Sequence, residues 1–260
     1  MAEYLLFTLA APLASFGTVA VGERRPTWDR PSKSQILGLV AGCLGIERSE
    51  EERQQALAAG IGFAVRVDVA GGLASDYHTA QAAKDVSIRR RAKVFGPIRT
   101  RADELACDDL KTILSRREFR VGSQHTIALW RATAGEPDLA AIKQALEAPV
   151  FVPFAGRKAH ALMLPMAPRI IDADHIEGAF ARFDATEPSD VRALKSQLRL
   201  AIDGSGPIYA DVDAIPDAER TARVSRLEER RDRPESRAKW RFGLRTEALL
   251  KSRVAGGGTP

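Results

Sequence analysis

The run Arg25 to Ile46, RPTWDRPSKSQILGLVAGCLGI, fixes where the first helix begins and, with it, how the chain around it is organised. Pro31 blocks extension of a helix backwards, Ser32 is a strong N-cap, and Gln35 three residues later completes a capping box. The helix is expected over Lys33 to Leu44, closed by Gly45. Its first turn carries unpaired N–H groups and the positive end of the helix dipole, with Lys33, the hydroxyls of Ser32 and Ser34, and Gln35 around it. That chemistry suits an anion such as phosphate, although most capping boxes only start a helix. Gly38 and Gly42 lie one turn apart and make a smooth stripe that admits close approach of a neighbouring backbone.

Upstream, Tyr4 to Leu9 reads as a buried first strand. Downstream, a second capping box, Ser49 with Glu52, is expected to open a short helix ending at Gly60. Phe63, Val65 and Val67 then alternate with Ala64, Arg66 and Asp68, the pattern of a strand with one buried face. From Asp76 to Ser115 the sequence is basic and aperiodic, and it is read as a projecting arm. Regularity resumes at Gln124 to Trp130, followed by a helix over about Asp138 to Glu147 and a short strand near Ala161 to Leu164. The order strand, helix, strand, arm, strand, helix, strand predicts an α+β chain with a ferredoxin-like domain interrupted by an insertion. A domain over residues 1–168 and a smaller C-terminal region over 169–260, ending in a flexible Gly-Gly-Gly-Thr-Pro tail, follow from the change of composition after Ala167.

At 260 residues and 45% hydrophobic, the chain is long enough for a substantial core. Its formal charge of +5 is unevenly spread. Lys84 to Arg101 holds seven basic residues against one acid, and Arg220 to Arg245 holds ten against four, so the remainder is acidic. Such segregation points to a polyanionic partner. The apolar N-terminus carries Glu3 and no basic residue before Arg24, which argues against a secretion signal. With no apolar run of membrane-spanning length, a cytoplasmic protein is expected. Cys43 and Cys107 suggest neither a disulfide framework nor zinc.

No phosphate-binding loop of the GxxxxGK[ST] type is present, so nucleotide-driven chemistry is not expected, and Gly204-Ser205-Gly206 is too short to replace it. Asp172, Asp174, His175 and Glu177 are metal-ligand types without convergent spacing and read as a solvated loop; no metal or cofactor is expected. His125 sits on an inward strand face and reads as a core residue. Three islands carry more. Asp76 to Gln81, DYHTAQ, crowds Tyr77, His78 and Thr79 at the start of the arm; Ser115 to Phe119, SRREF, sets Arg116 and Arg117 beside Phe119; Phe154 to Lys158, FAGRK, sets Gly156, Arg157 and Lys158 beside Phe154. Backbone-tracking cations next to stacking rings are what a single-stranded nucleic-acid groove requires, with Tyr77 and Phe119 as the candidate stacking surfaces.

These islands, in this order and spacing, together with TIALW after SRREF and PFAGRKAHALMLPM, resemble the CasD family, the Cas-five subunit of type I-E CRISPR Cascade. The resemblance spans about Tyr4 to Pro168; PIYADVD and RPESRAKWRFG look related further on. It implies a modified RRM or RAMP domain with a thumb at about 76–115. It also implies a non-catalytic subunit in antiviral defence that caps the 5′ handle of the crRNA and contacts the backbone subunit CasC and the large subunit CasA, near the target DNA. The competing reading is a metal-independent endoribonuclease that processes repeat RNA, with His78 and Tyr77 as acid and base candidates and Lys84 or Lys111 brought near by folding.

Overall fold

An unbroken run of buried, mostly apolar residues from Tyr4 to Ala11 makes β1 (Ala2–Ala14) a central strand rather than an edge. The computed structural model describes residues 1–20, 22–133, 138–201 and 204–251; the expected Gly-Gly-Gly-Thr-Pro tail lies outside them. After a two-residue β2 (Arg24–Arg25) come α1 (Lys33–Cys43), α2 (Glu51–Gly60), β3 (Ile61–Val69), β4 (Gly72–Ala83), α3 (Asp85–Phe95), α4 (Arg101–Leu105) and a long β5 (Leu110–Arg131). The chain continues through α5 (Leu139–Glu147), β6 (Arg169–Ala173), α6 (Ile176–Ala185), α7 (Ser189–Gln197), β7 (Ile208–Asp211), α8 (Asp217–Arg223), β8 (Val224–Ser236) and β9 (Arg241–Leu250). The sheet runs β6-β1-β5-β3-β7-β9-β8, antiparallel along this path, with β4 pairing antiparallel and the short β2 parallel to β5. It crosses residue 168 without a break.

Both faces of the sheet are covered. Leu5, Phe7, Leu9, Phe63, Val65 and Ile127 pack towards Ile36, Leu37 and Val40 of α1 and Leu139, Ile142 and Leu146 of α5. Tyr4, Leu6, Ala64 and Ala128 pack on the other side against Ala179, Phe180 and Phe183 of α6. The expectation that β3 has one buried face is therefore corrected. Arg66, on the second face, is 4% exposed because its guanidinium meets Asp68 and Asp184, and a buried charge is held only when paired.

Three further expectations change. Ser49 does not cap α2; Glu50 takes the N-cap position and the helix starts at Glu51. The segment 161–164 is not a strand: Phe154 and Ala161 form one isolated bridge. Met163 N–H donates to Ala10 O and Met166 O accepts from Thr8 N–H, both at 2.9 Å. Prolines at 165 and 168 prevent a regular ladder, so pairing with β1 begins only at Arg169. The arm is regular too: β4 and β5 form a hairpin from Gly72 opposite Val121 to Ala83 opposite Leu110, and α3 and α4 lie beyond its end. With both faces of β4 largely exposed, nothing imposes a period of two on its sequence.

Candidate nucleic-acid interface

The start of α1 has the predicted geometry and an internal counter-charge. Ser32 Oγ accepts from Gln35 N–H at 3.3 Å, and the Gln35 side chain accepts from Ser32 N–H at 3.1 Å, closing the capping box. Lys33 N–H, however, donates to Asp232 Oδ2 at 2.9 Å, and Lys33 Nζ pairs with Asp211 Oδ2 at 2.8 Å. The donors that the sequence offers to a phosphate thus meet carboxylates of β7 and β8. Ser32 and Ser34 are buried, with their hydroxyls 3.1 Å apart, and Gln35 Nε2 donates to Ser15 O at 3.0 Å.

Those carboxylates belong to a buried charge network beneath β8 and β9. Arg245 pairs with Asp211, Asp232 and Glu247, each at 2.8 Å, and Arg30 pairs with Glu247 and Glu228, both at 2.7 Å. Burial alone pushes the Glu247 carboxyl up, but Arg230, Arg245 and Arg30 outweigh it and hold it below the usual carboxylate range. Part of the basic C-terminal window is therefore spent inside the chain. Its exposed cations are Arg226, Arg231, Arg233, Lys239 and Arg241.

At the arm base the hairpin register divides the predicted residues between two faces, because residues directly opposite and those two apart share a side. Asp76 lies opposite Arg117, and His78 opposite Ser115, with Phe119 next along. Tyr77 lies opposite Arg116, on the other face with Ser75 and Thr79. On that second face, Arg116 Nε donates to Ser75 Oγ at 3.2 Å and Glu118 is held by Arg24 at 2.6 Å. Tyr77 and Phe119, the two candidate stacking rings, consequently do not face the same ligand. Lys84, the proposed helper for His78, pairs with Asp109 and lies six residues beyond His78, just past the end of β4, roughly 20 Å away at about 3.3 Å per residue. Lys111, opposite Ala82, is four residues away.

The first face meets the 154–160 turn. Gly156 has φ +88°, and a Cβ there would lie 1.9 Å from Ser15 O, so only glycine fits. This clamp brings Arg157 to donate to Glu118 O at 2.9 Å, beside Arg117 and Asp76. Burial first, and then Arg117, hold the Arg157 pKa below the usual arginine value; only Asp76 opposes them. A guanidinium in this state is short of negative charge. His160, ring centroid 6.2 Å from Phe119, is buried, and burial followed by Arg157 holds its pKa down. Lys158 is exposed on the same turn.

From this turn two clefts continue along the surface. One, of about 720 Å³, lies between Gly38, Leu39 and Gly42 of α1 and Phe151 to Phe154, with Lys158 and Arg237 at its edges. The glycine stripe lines it: Gly38 abuts Arg237, while Gly42 faces open space. The second, of about 1140 Å³, lies between Trp28, Ser32, Gln35 and the β8–β9 hairpin, where Arg231, Trp240 and Phe242 are exposed or half-buried. Ser34, Gln35, Gly156 and Arg237 border both. Arg237 is held below the usual arginine value by burial and then Arg48, and its guanidinium donates to Ser34 O. Trp240, at φ +54°, is 60% exposed, with Phe242 at 5.4 Å edge-on and the Arg48 guanidinium 4.6 Å from its ring centroid.

Sequence reasoning missed Trp28, Trp240, Phe242 and Arg237. The signal available was the aromatic pair in KWRF, Lys239 to Phe242, inside a basic window. Of the acidic cluster, Glu177 pairs with Arg223 at 2.6 Å. Among the described residues no helix is long and apolar enough to cross a membrane.

A model of the family described as CRISPR-associated protein (Cas_Cas5) matches residues 4–247. The CRISPR system Cascade subunit CasD of Escherichia coli (strain K12) is 29% identical over 174 residues, covering 64% of this chain and 70% of that protein. A chain of a solved CRISPR RNA-guided surveillance complex superposes with a TM-score of 0.61 and 21% identity, over 98% of this chain and 93% of its own. A second solved structure, described as a Cas protein, gives a TM-score of 0.52 at 22% identity over 99% and 100%. The mixed α/β architecture with its antiparallel sheet is shared with both.

Proposed function

The chain belongs to the CRISPR-associated Cas5 family, and from that premise we propose that it is a non-catalytic crRNA-binding subunit of a type I-E Cascade complex, capping the 5′ handle of the crRNA. The observation that carries this reading is the continuous surface from the arm base through the 154–160 turn to the two clefts. Arg117 and Arg157 lie at its start, Lys158 and Arg237 in its middle, and Arg241, Trp240 and Phe242 at its far end. Arg117, Arg157, Lys158 and Arg237, which form no ion pair among the described residues, supply the backbone affinity, and exposed rings take splayed bases. Ser32, Ser34, Gln35 and Gly156 shape the floor. Lys33 acts through the fold, whereas Tyr77, Thr79 and Arg116 lie on the opposite face of the arm, suited to a second contact.

The order β6-β1-β5-β3, with α1 and α5 as crossovers, supports a ferredoxin-like RAMP core in which residues 1–168, with a thumb at about 76–115, are completed by β6 from just beyond that boundary. On this reading the subunit works in the cytoplasm, with CasC contacting the thumb and CasA the smaller C-terminal region over 169–260.

The test is to incubate the purified chain with cognate repeat RNA, without metal, and to resolve bound fraction and products on one gel. Tight, salt-sensitive retention of intact RNA, weakened at least tenfold by Arg117→Ala with Arg157→Ala and unchanged by His78→Ala, is expected. A discrete cleavage product lost in His78→Ala would overturn the reading in favour of a processing ribonuclease.

A further inference from the structure

The tip of the arm carries charge that the proposed RNA track does not use. Beyond the last hairpin pair, Ala83 with Leu110, α3 holds Arg89, Arg90, Arg91 and Lys93. Its buried side is set by Ser87, whose Oγ accepts from Asp109 N–H at 3.3 Å, and Arg91 turns back to donate to Ala106 O. Helical spacing places Val86, Arg89, Arg90 and Lys93 on the opposite face, and all four are exposed. Among the described residues neither Arg89 nor Lys93 forms an ion pair, and Arg90 approaches Asp108 only at 3.9 Å with both side chains largely in water, a contact worth almost nothing.

We propose that this outer face of α3 is a second nucleic-acid surface, distinct from the RNA track, and that it takes double-stranded DNA through its phosphates without reading sequence. Two observations choose a duplex over a single strand. The face holds cations and one valine but no ring, whereas binding of single strands relies on aromatic stacking; Phe95 lies off the face with the Arg91 guanidinium 4.8 Å from its ring centroid. The helix also stands beyond the hairpin end, and a helix about 10–12 Å across matches a major groove about 12 Å wide. The complementarity is electrostatic, since phosphate contacts supply position and affinity but no sequence information.

The experiment measures anisotropy of a labelled 24-bp duplex of arbitrary sequence with the full-length chain between 50 and 200 mM salt, and repeats it with single-stranded repeat RNA. The triple variant Arg89→Ala, Arg90→Ala, Lys93→Ala is expected to lower the slope of log K against log salt by about 2.7. Wild type therefore loses roughly 40-fold more duplex affinity than the variant across that range. RNA retention by the triple variant is expected to stay within twofold, while Arg117→Ala with Arg157→Ala leaves duplex binding unchanged. Three results overturn the proposal: wild type that does not bind the duplex, a triple variant with the wild-type slope, or a triple variant that loses RNA and duplex equally. Only the last of these reassigns the face to RNA, and none touches the arm-base reading.

Discussion

Complete burial of His125 against Phe16, with Nε2 donating to Asp29 O at 3.0 Å and Nδ1 unpartnered, holds the ring neutral and pushes its pKa down to about 4. Burial is the leading cause, and the neighbouring Arg30 and Arg120 add to it against Asp29. The folded value lies below the ordinary 6.5, so the unfolded chain takes up a proton that the folded chain refuses. Stability from this residue is full above about pH 6.5 and falls as pH drops towards 4, by up to roughly 3 kcal/mol. Urea unfolding at pH 7 and pH 5 measures it: His125→Gln is expected to flatten that interval, and an unchanged pH slope would count against the assignment. At Gly156 the constraint is steric. Gly156→Ala is expected to cost about 2 kcal/mol or more and to weaken RNA retention, because the turn must leave Ser15 and carry Arg157 with it. Thermal denaturation and the RNA gel read the two effects separately. The sequence suggested a core histidine at 125, but the demand for glycine at 156 comes from a backbone 141 residues away, which no local pattern records.

Elements were legible where their signal is local. The capping box of α1 predicted its first residue, since Ser32 and Gln35 need only each other. The charged partner of its N-terminus was not legible, because Asp232 arrives from β8. The arm's position was readable from its charge, but its strands were not, because a hairpin exposed on both sides has no buried face to repeat. The network under β8 and β9 holds these distant elements together. Glu247→Ala leaves Arg30, Arg230 and Arg245 facing one another around a vacated carboxylate, and it is expected to destabilise the chain by about 3–5 kcal/mol, with loss of the β8–β9 hairpin's protection in hydrogen exchange. A melting temperature within a degree of wild type would refute that role.

Across the whole molecule, the proposed RNA surface draws on both ends of the chain, and only its first half was predicted. Arg117, Arg157 and Lys158 stand out as cations beside rings in short islands. Trp28, Trp240 and Phe242 become a site only when β8 and β9 fold back over α1. Trp240→Ala is expected to lower RNA affinity by about 1–3 kcal/mol, as for loss of one stacked base, without changing duplex binding; filter binding at fixed salt decides it. The same closure sets a constraint on biosynthesis. Arg30 is paired by a glutamate 217 residues later in the chain, and at roughly 5–20 residues per second a ribosome takes about 10–40 s to deliver it. Through that interval the nascent amino-terminal half carries Arg30 without Glu247, and a transcript truncated before β9 yields a chain that never receives it, although Asp211 and Asp232, the partners of Lys33, are already present.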